Sequence, residues 1–289
     1  MSSTYRDFRT ISPSAKSLLL MKGHTNIPFA RQAAELICLP EKYVPNFSRK
    51  DFRYWARVLH FENRYFSIDQ LLSELQINNI LELSSGFSFR GLDKTKQNGY
   101  YYIDTDLPEM AEIKNNFLEA LSADSINSTG KFKILPLNAL DEVQFADVVN
   151  RFPEGEIVIV NEGLLMYLDN NEKEKLCGII HKILKERGGY WITADVYIKR
   201  EIERLNLIRD KNEEKFFAGH QIEEKRFNSF EEAESFFKKA GFVVDKEAQT
   251  DHTKLSSLKY LLENTSTEEL QNLRSSGKVQ ATWRLKVSD

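Results

Sequence analysis

Four carboxylates stand where apolar runs of this sequence end. Glu82 lies in Ile80-Leu81-Glu82-Leu83, Asp104 and Asp106 follow Tyr100-Tyr101-Tyr102-Ile103, and Glu162 follows Glu156-Ile157-Val158-Ile159-Val160-Asn161. Runs of this length, rich in β-branched and aromatic residues, read as buried strands. The first ends in Ser84-Ser85-Gly86, a small-residue turn of the kind at which open α/β sheets bind nucleotides. Gly86 has no side chain to keep a ligand from the backbone, and the N–H groups around it are donors. An acid about twenty residues past such a turn is placed to accept both hydroxyls of a ribose, and Asp104 and Asp106 fit that spacing. Their competing role is turn chemistry before Pro108. By analogy with other nucleotide folds, Asn138 and Ala139, in Pro136-Leu137-Asn138-Ala139-Leu140, fall where a base would be held.

These groups need a frame that brings strand ends together. From residue 79 the chain alternates strand with helix. Strands are predicted at 79–84, 100–103, 132–137, 156–160 and 190–194, with helical stretches from 87, at 109–121, 141–151 and 170–187 between them. Such alternation implies a parallel, doubly wound α/β sheet. Ser229 and Glu232 stand at capping-box spacing before a helix that ends at Gly241. A strand at 242–248, a helical pair over 252–274 and a last strand at 279–287 follow. The hairpin-like ending suggests an antiparallel final strand, as in methyltransferase sheets and unlike NAD-binding ones. Ahead of the sheet, helices are expected from Ser14, after Pro28 and over 49–75. The last interleaves Phe52, Tyr54, Trp55, Phe61, Tyr65 and Phe66 with Arg53, Arg57 and Arg64. The aromatics read as core; a guanidinium near a nucleotide turn is a natural partner for a carboxylate. Lys16, Lys22, His24 and Arg31 have a solvated helix face as their plain reading. One domain is expected: a helical cap over 1–76, a binding core over 77–195, a charged helical lid over 196–228, and the remainder of the sheet over 229–289.

The bulk properties exclude several classes. Among 289 residues, 41% are hydrophobic and 29% charged, which is globular composition. A net charge of −3, without a compensating Lys/Arg block, gives no footprint for nucleic acid. No apolar run is long enough to span a membrane, and Met1 to Thr10 has no signal-peptide core, so a cytoplasmic protein is expected. Cys38 and Cys177 read as reduced thiols, and the five histidines have no metal-ligand spacing.

Taken together, SAKSLLL with GHTNIPFA, RYFSIDQLL at 64–72, ILELSSGFSFRGLD at 80–93, YYIDTDLPEM at 101–110 and NEGLLMYL at 161–168 resemble the leucine carboxyl methyltransferase family. That family includes O-methyltransferases of bacterial polyketide pathways. The motifs keep the family's order over most of residues 14–200, and the last third agrees only in its elements. The resemblance implies a class I methyltransferase fold and S-adenosyl-L-methionine as cofactor. It places Lys16 and Arg64 near the methionyl carboxylate, with Ser84 and Gly86 in the turn beneath the methionyl and ribose groups. Asp106 falls on the ribose and Glu162 at the amino or sulfonium end, with Glu82 on the cofactor side or closing its strand. Two positions depart from the pattern: Phe87-Ser88 replaces a second glycine, and Asn138 replaces an aspartate expected to meet the adenine amine. A small molecule with a carboxylate or hydroxyl is the expected acceptor. A protein C-terminal carboxylate, an NAD(P)-dependent oxidoreductase and a catalytically silent cofactor-binding protein are the alternatives. No residue announces itself as a base; Tyr167, Tyr197 and His220 are the nearest candidates for acceptor contacts, with His252 beyond them.

Overall fold

The computed structural model describes residues 12–96, 99–122, 130–199, 219–275 and 277–288. Its centre is a seven-stranded sheet in the order β3-β2-β1-β4-β5-β7-β6. The strands are β1 (Asn79–Leu83), β2 (Tyr101–Asp106), β3 (Lys131–Pro136), β4 (Ile157–Asn161), β5 (Gly189–Tyr197), β6 (Phe242–Glu247) and β7 (Gln280–Val287). The first five are parallel, and β7 runs antiparallel between β5 and β6. This is a mostly parallel, doubly wound sheet, with the antiparallel C-terminal strand that the sequence leads one to expect.

The period of two divides each strand between two cores. Leu81, Leu83, Ile103, Ile157, Ile159 and Trp191 face one way, toward α6 (Glu142–Val149), α7 (Asn170–Arg187) and α8 (Phe230–Lys239). Ile80, Tyr102, Val158, Val160, Ile192 and Ala194 face the other, toward Ile68, Leu71 and Leu72 of α3 (Phe52–Ser73). The helices α1 (Ser12–Lys22) and α2 (Ala30–Cys38) pack with Phe89 and Leu92, and with Leu121 of α5 (Pro108–Ser122). Pro108 opens α5 at the position where a missing N–H costs nothing.

Several boundaries differ from the sequence reading. Of the crossover expected from Phe87, only α4 (Arg90–Lys94) is helical. Phe87 and Phe89 instead lay their rings against Phe117 of α5, at centroid distances of 5.3 and 6.5 Å. Gly91 lets α4 descend onto the sheet, because a Cβ there would come within 2.4 Å of the Phe132 ring and 2.6 Å of Tyr102. β5 runs three residues beyond Ala194 through an irregularity in its pairing with β7, so Asp195 and Tyr197 belong to the strand. The C-terminal helical pair is a single turn at His252–Lys254 followed by α9 (Leu258–Glu263) and α10 (Thr267–Ser275). The expected lid falls largely at 200–218, outside the described residues. Ser229 caps α8, accepting from Glu232 N. Cys38 and Cys177 are unpaired. Among the described residues no helix is long and apolar enough to cross a membrane, and no group of three His, Cys, Asp or Glu residues is placed to hold a metal ion.

Candidate active site

Parallel pairing brings the C-terminal ends of β1, β2, β4 and β5 to one edge. Glu82 pairs with Asp104, and Leu83 with Asn161. The turn after β1 is left-handed at Ser84 (φ 48°) and at Gly86 (φ 48°). Serine adopts that conformation only when its surroundings enforce it. Three hydrogen bonds do so: Ser85 N to Thr105 O (2.9 Å), Gly86 N to Asp106 Oδ2 (2.8 Å), and Lys114 Nζ to Ser85 Oγ (2.8 Å). Ser88 N closes the turn on Ser85 O at 2.9 Å. A Cβ at Gly86 would meet, among the described residues, only Ala15 Cβ at 3.9 Å, which puts α1 over the turn with room between them.

Asp106 Oδ1 also accepts from Leu107 N. Burial raises its carboxyl above the ordinary value, against the pull of these two N–H groups. Each oxygen keeps a lone pair for a further donor. Asn138 Oδ1 accepts from Leu140 N, and Ala139 is buried beside it after β3.

Glu162 is the hub of the β4 end. Lys22 Nζ donates to its Oε1 at 2.6 Å, Arg64 Nη2 and Nε at 3.1 and 3.3 Å, and Arg90 Nη2 reaches its Oε2 at 3.2 Å. Burial alone would raise its carboxyl, but Lys22, Arg64 and Arg90 outweigh burial and bring it down to about 2. Arg90 is fully buried. It also donates to Asp69 Oδ1 (2.7 Å) and Tyr65 O (3.0 Å), and lies 3.9 Å over the Tyr65 ring. The turn carrying Glu162 is held from β5: Asp195 accepts from Gly163 N (2.6 Å), Leu164 N (2.6 Å), Leu165 N (3.0 Å) and Asn161 Nδ2 (2.7 Å).

α3 supplies the third wall. Its Asp51 cap accepts from Tyr54 N. Along the buried face Arg64 Nη1 donates to Tyr197 Oη (2.8 Å), which is also 2.8 Å from His60 Nε2. Burial, aided by Arg64, drives His60 down to about 3, so it is neutral, and burial raises the Tyr197 phenol. Between His60 and Arg64 in sequence, Glu62 accepts from the backbone and hydroxyls of both Ser256 and Ser257, tying α3 to the segment before α9.

Arg64, Glu82, Ser84, Gly86, Asp104, Asp106, Glu162 and Tyr197 are therefore gathered at one sheet edge. Lys16 lies on the exposed side of α1; the lysine that reaches the cluster from that helix is Lys22. Glu82 faces the interior beneath the turn, accepting from Tyr102 Oη, with Arg90 Nε 3.4 Å away. Tyr167 Oη lies 3.3 Å from Ser14 Oγ and its ring meets His220 edge-on at 6.2 Å, joining α1 to the loop at 220. His252 is exposed. Arg90 and Asp195 escaped the sequence reading. The available signal for Arg90 was a cation four residues past the turn glycine, flanked by apolar Phe89 and Leu92.

No protein-family model and no curated protein matches the chain. Solved structures do. The methyltransferase domain of bacterial CtHen1-C aligns at TM-score 0.50 and 10% identity, over 80% of this chain and all of that one. Magnesium protoporphyrin IX methyltransferase (ChlM) from Synechocystis PCC 6803, with bound SAH, aligns at 0.48 and 10% identity, over 94% of this chain and all of its own. LepI in complex with SAM aligns at 0.41 and 11% identity over 89% of this chain, which spans only 52% of LepI. At such identities the common ground is the fold.

Proposed function

We propose that this chain is an S-adenosylmethionine-dependent O-methyltransferase of the leucine carboxyl methyltransferase type, acting on a carboxylate or hydroxyl of a small molecule. The observation that carries the reading is Glu162 ringed by Lys22, Arg64 and Arg90 at the sheet edge beside the Ser84–Gly86 turn. An amino-acid group carries one negative and one positive end, and this cluster offers partners for both. The cations suit a carboxylate, with Arg64 presenting a planar fork and Lys22 a point charge, and Glu162 suits an ammonium. Asp106, with a lone pair open on each oxygen, suits a ribose diol, and the room above Gly86 suits a ligand pressed against the backbone. Asn138 and Ala139 stand at the base.

When bound, S-adenosylmethionine supplies a methyl group activated by its sulfonium charge. The chain's own part is to orient, to exclude water and to hold charge. Glu162, kept ionised by its three cations, offers a fixed carboxylate acceptor at the β4 end. Tyr197 keeps its proton and His60, 2.8 Å from it, is neutral, so this pair is suited to hold an acceptor oxygen in place and poorly suited to take a proton. That arrangement supports an acceptor that arrives ionised, as a carboxylate does.

Calorimetric titration with S-adenosylhomocysteine tests the reading. The wild-type chain is expected to bind, and Asp106→Ala and Glu162→Ala to lose binding while remaining folded by circular dichroism. Unchanged affinity in either variant removes that residue from the site. A chain that binds no S-adenosylhomocysteine overturns the reading.

A further inference from the structure

Directly beneath the β1 turn lies a second set of charges with no counterpart at Glu162. Asp104 and Lys114 are both fully buried, and Lys114 Nζ pairs with Asp104 Oδ2 at 2.6 Å. Asp104 Oδ1, and Glu82 Oε1 at the paired position on β1, accept no hydrogen bond from any described residue. Buried acceptors left in that state are rare and costly. The same Lys114 ammonium donates to Ser85 Oγ and so supplies one of the three bonds that hold the left-handed turn.

We propose that Asp104 and Lys114 form a positioning pair for the turn, and that a proton taken up by Asp104 slackens the Lys114 tether to Ser85 and weakens ligand binding at Gly86. With Asp104 ionised, Lys114 is fixed between a carboxylate and Ser85 Oγ. With Asp104 neutral, the buried ammonium has lost its counter-charge, and its hold on Ser85 loses direction. The charged and titratable groups facing Asp104 are Lys114 from α5, Glu82 from β1, Arg90 from α4 and Tyr102 on β2; β3 presents uncharged Ile134 at the paired position. Burial and Glu82 raise the Asp104 carboxyl and Lys114 opposes them, leaving it near 7, where small changes of pH would operate the device. The proposal rests on the methyltransferase reading only for the choice of ligand.

Two measurements test it. Calorimetry with S-adenosylhomocysteine between pH 6 and 8.5 should give binding about tenfold weaker at the acid end, the equivalent of one pKa unit of linkage. Asp104→Asn should bind weakly and without this pH dependence. Independently, in the ligand-free protein, carbon-13 NMR of the Asp104 carboxyl should titrate near neutrality, and the Ser85 and Gly86 amide resonances should move with the same midpoint. Lys114→Met, checked for folding by its thermal transition, should abolish the coupled movement of those amides. Wild-type affinity independent of pH, or an Asp104 carboxyl that titrates below pH 5, overturns the proposal. A protein that binds no S-adenosylhomocysteine overturns the ligand reading alone, since the amide titration still decides for or against the tether.

Discussion

Glu162 and Asp104 are carboxylates at the ends of the two parallel strands that flank β1, yet their surroundings drive them in opposite directions. Glu162 receives four hydrogen bonds from three cations and is brought down to about 2. Asp104 has one cation, Lys114, with Glu82 beside it, and burial pushes it up to about 7. Both side chains are largely withdrawn from water, Asp104 the more deeply; the supply of donors differs, and it decides whether such an acid is a fixed charge or a titratable one.

The largest way to break this comparison is Glu162→Ala, which leaves Lys22, Arg64 and Arg90 facing one another. A loss of about 3–5 kcal/mol is expected in urea unfolding, and a loss under about 1 kcal/mol would mean that water already reaches the cluster. Acid titration of the wild-type chain comes next. Glu162 binds its proton more weakly folded than unfolded, so its contribution is complete above pH 4.5 and drains away as pH falls toward 2. The amount is on the order of 3 kcal/mol. Asp104 has the opposite sign: it binds its proton more tightly when folded, so its contribution is present below pH 3.8 and is lost as pH rises toward 7. Asp104→Asn should flatten that neutral-side decline in a pH series of unfolding midpoints and leave the acid side intact.

Lys114→Met should cost less than Glu162→Ala, about 1–3 kcal/mol, because Asp104 can respond by taking a proton. An equal cost for both substitutions would erase the distinction between the two acids. The smallest effect is expected at the carboxylate behind Glu162. Asp195→Asn keeps one acceptor oxygen but turns an N–H₂ toward the backbone donors of Gly163–Leu165, for about 1–2 kcal/mol by thermal unfolding.

What the sequence makes legible follows the same division. Strand ends, the turn and the acids at 82, 104, 106 and 162 can be read because period and turn chemistry are local. The antiparallel ending was readable too, from the pattern of elements after residue 228. Lys22, Arg90 and Asp195 were not, because a charged residue earns burial only through partners distant in sequence: Lys22 meets Glu162 across 140 residues, and Arg90 meets it across 72. The length of α4 was misread for a related reason. Phe87 and Phe89 carry a helix-compatible pattern locally, but Phe117 draws their rings onto α5.

The sheet order has a consequence for how this molecule assembles. β6 has β7 as its sole described neighbour, and β7 is also the edge against which β5 pairs, so the strand latest in the described sequence sits between two that precede it. Until residues 280–287 are in place, β5 presents an unpaired edge and β6 has nowhere to dock. Contacts of such high sequence separation slow folding, and the open β5 edge is the surface on which a nascent or truncated chain would find its neighbours.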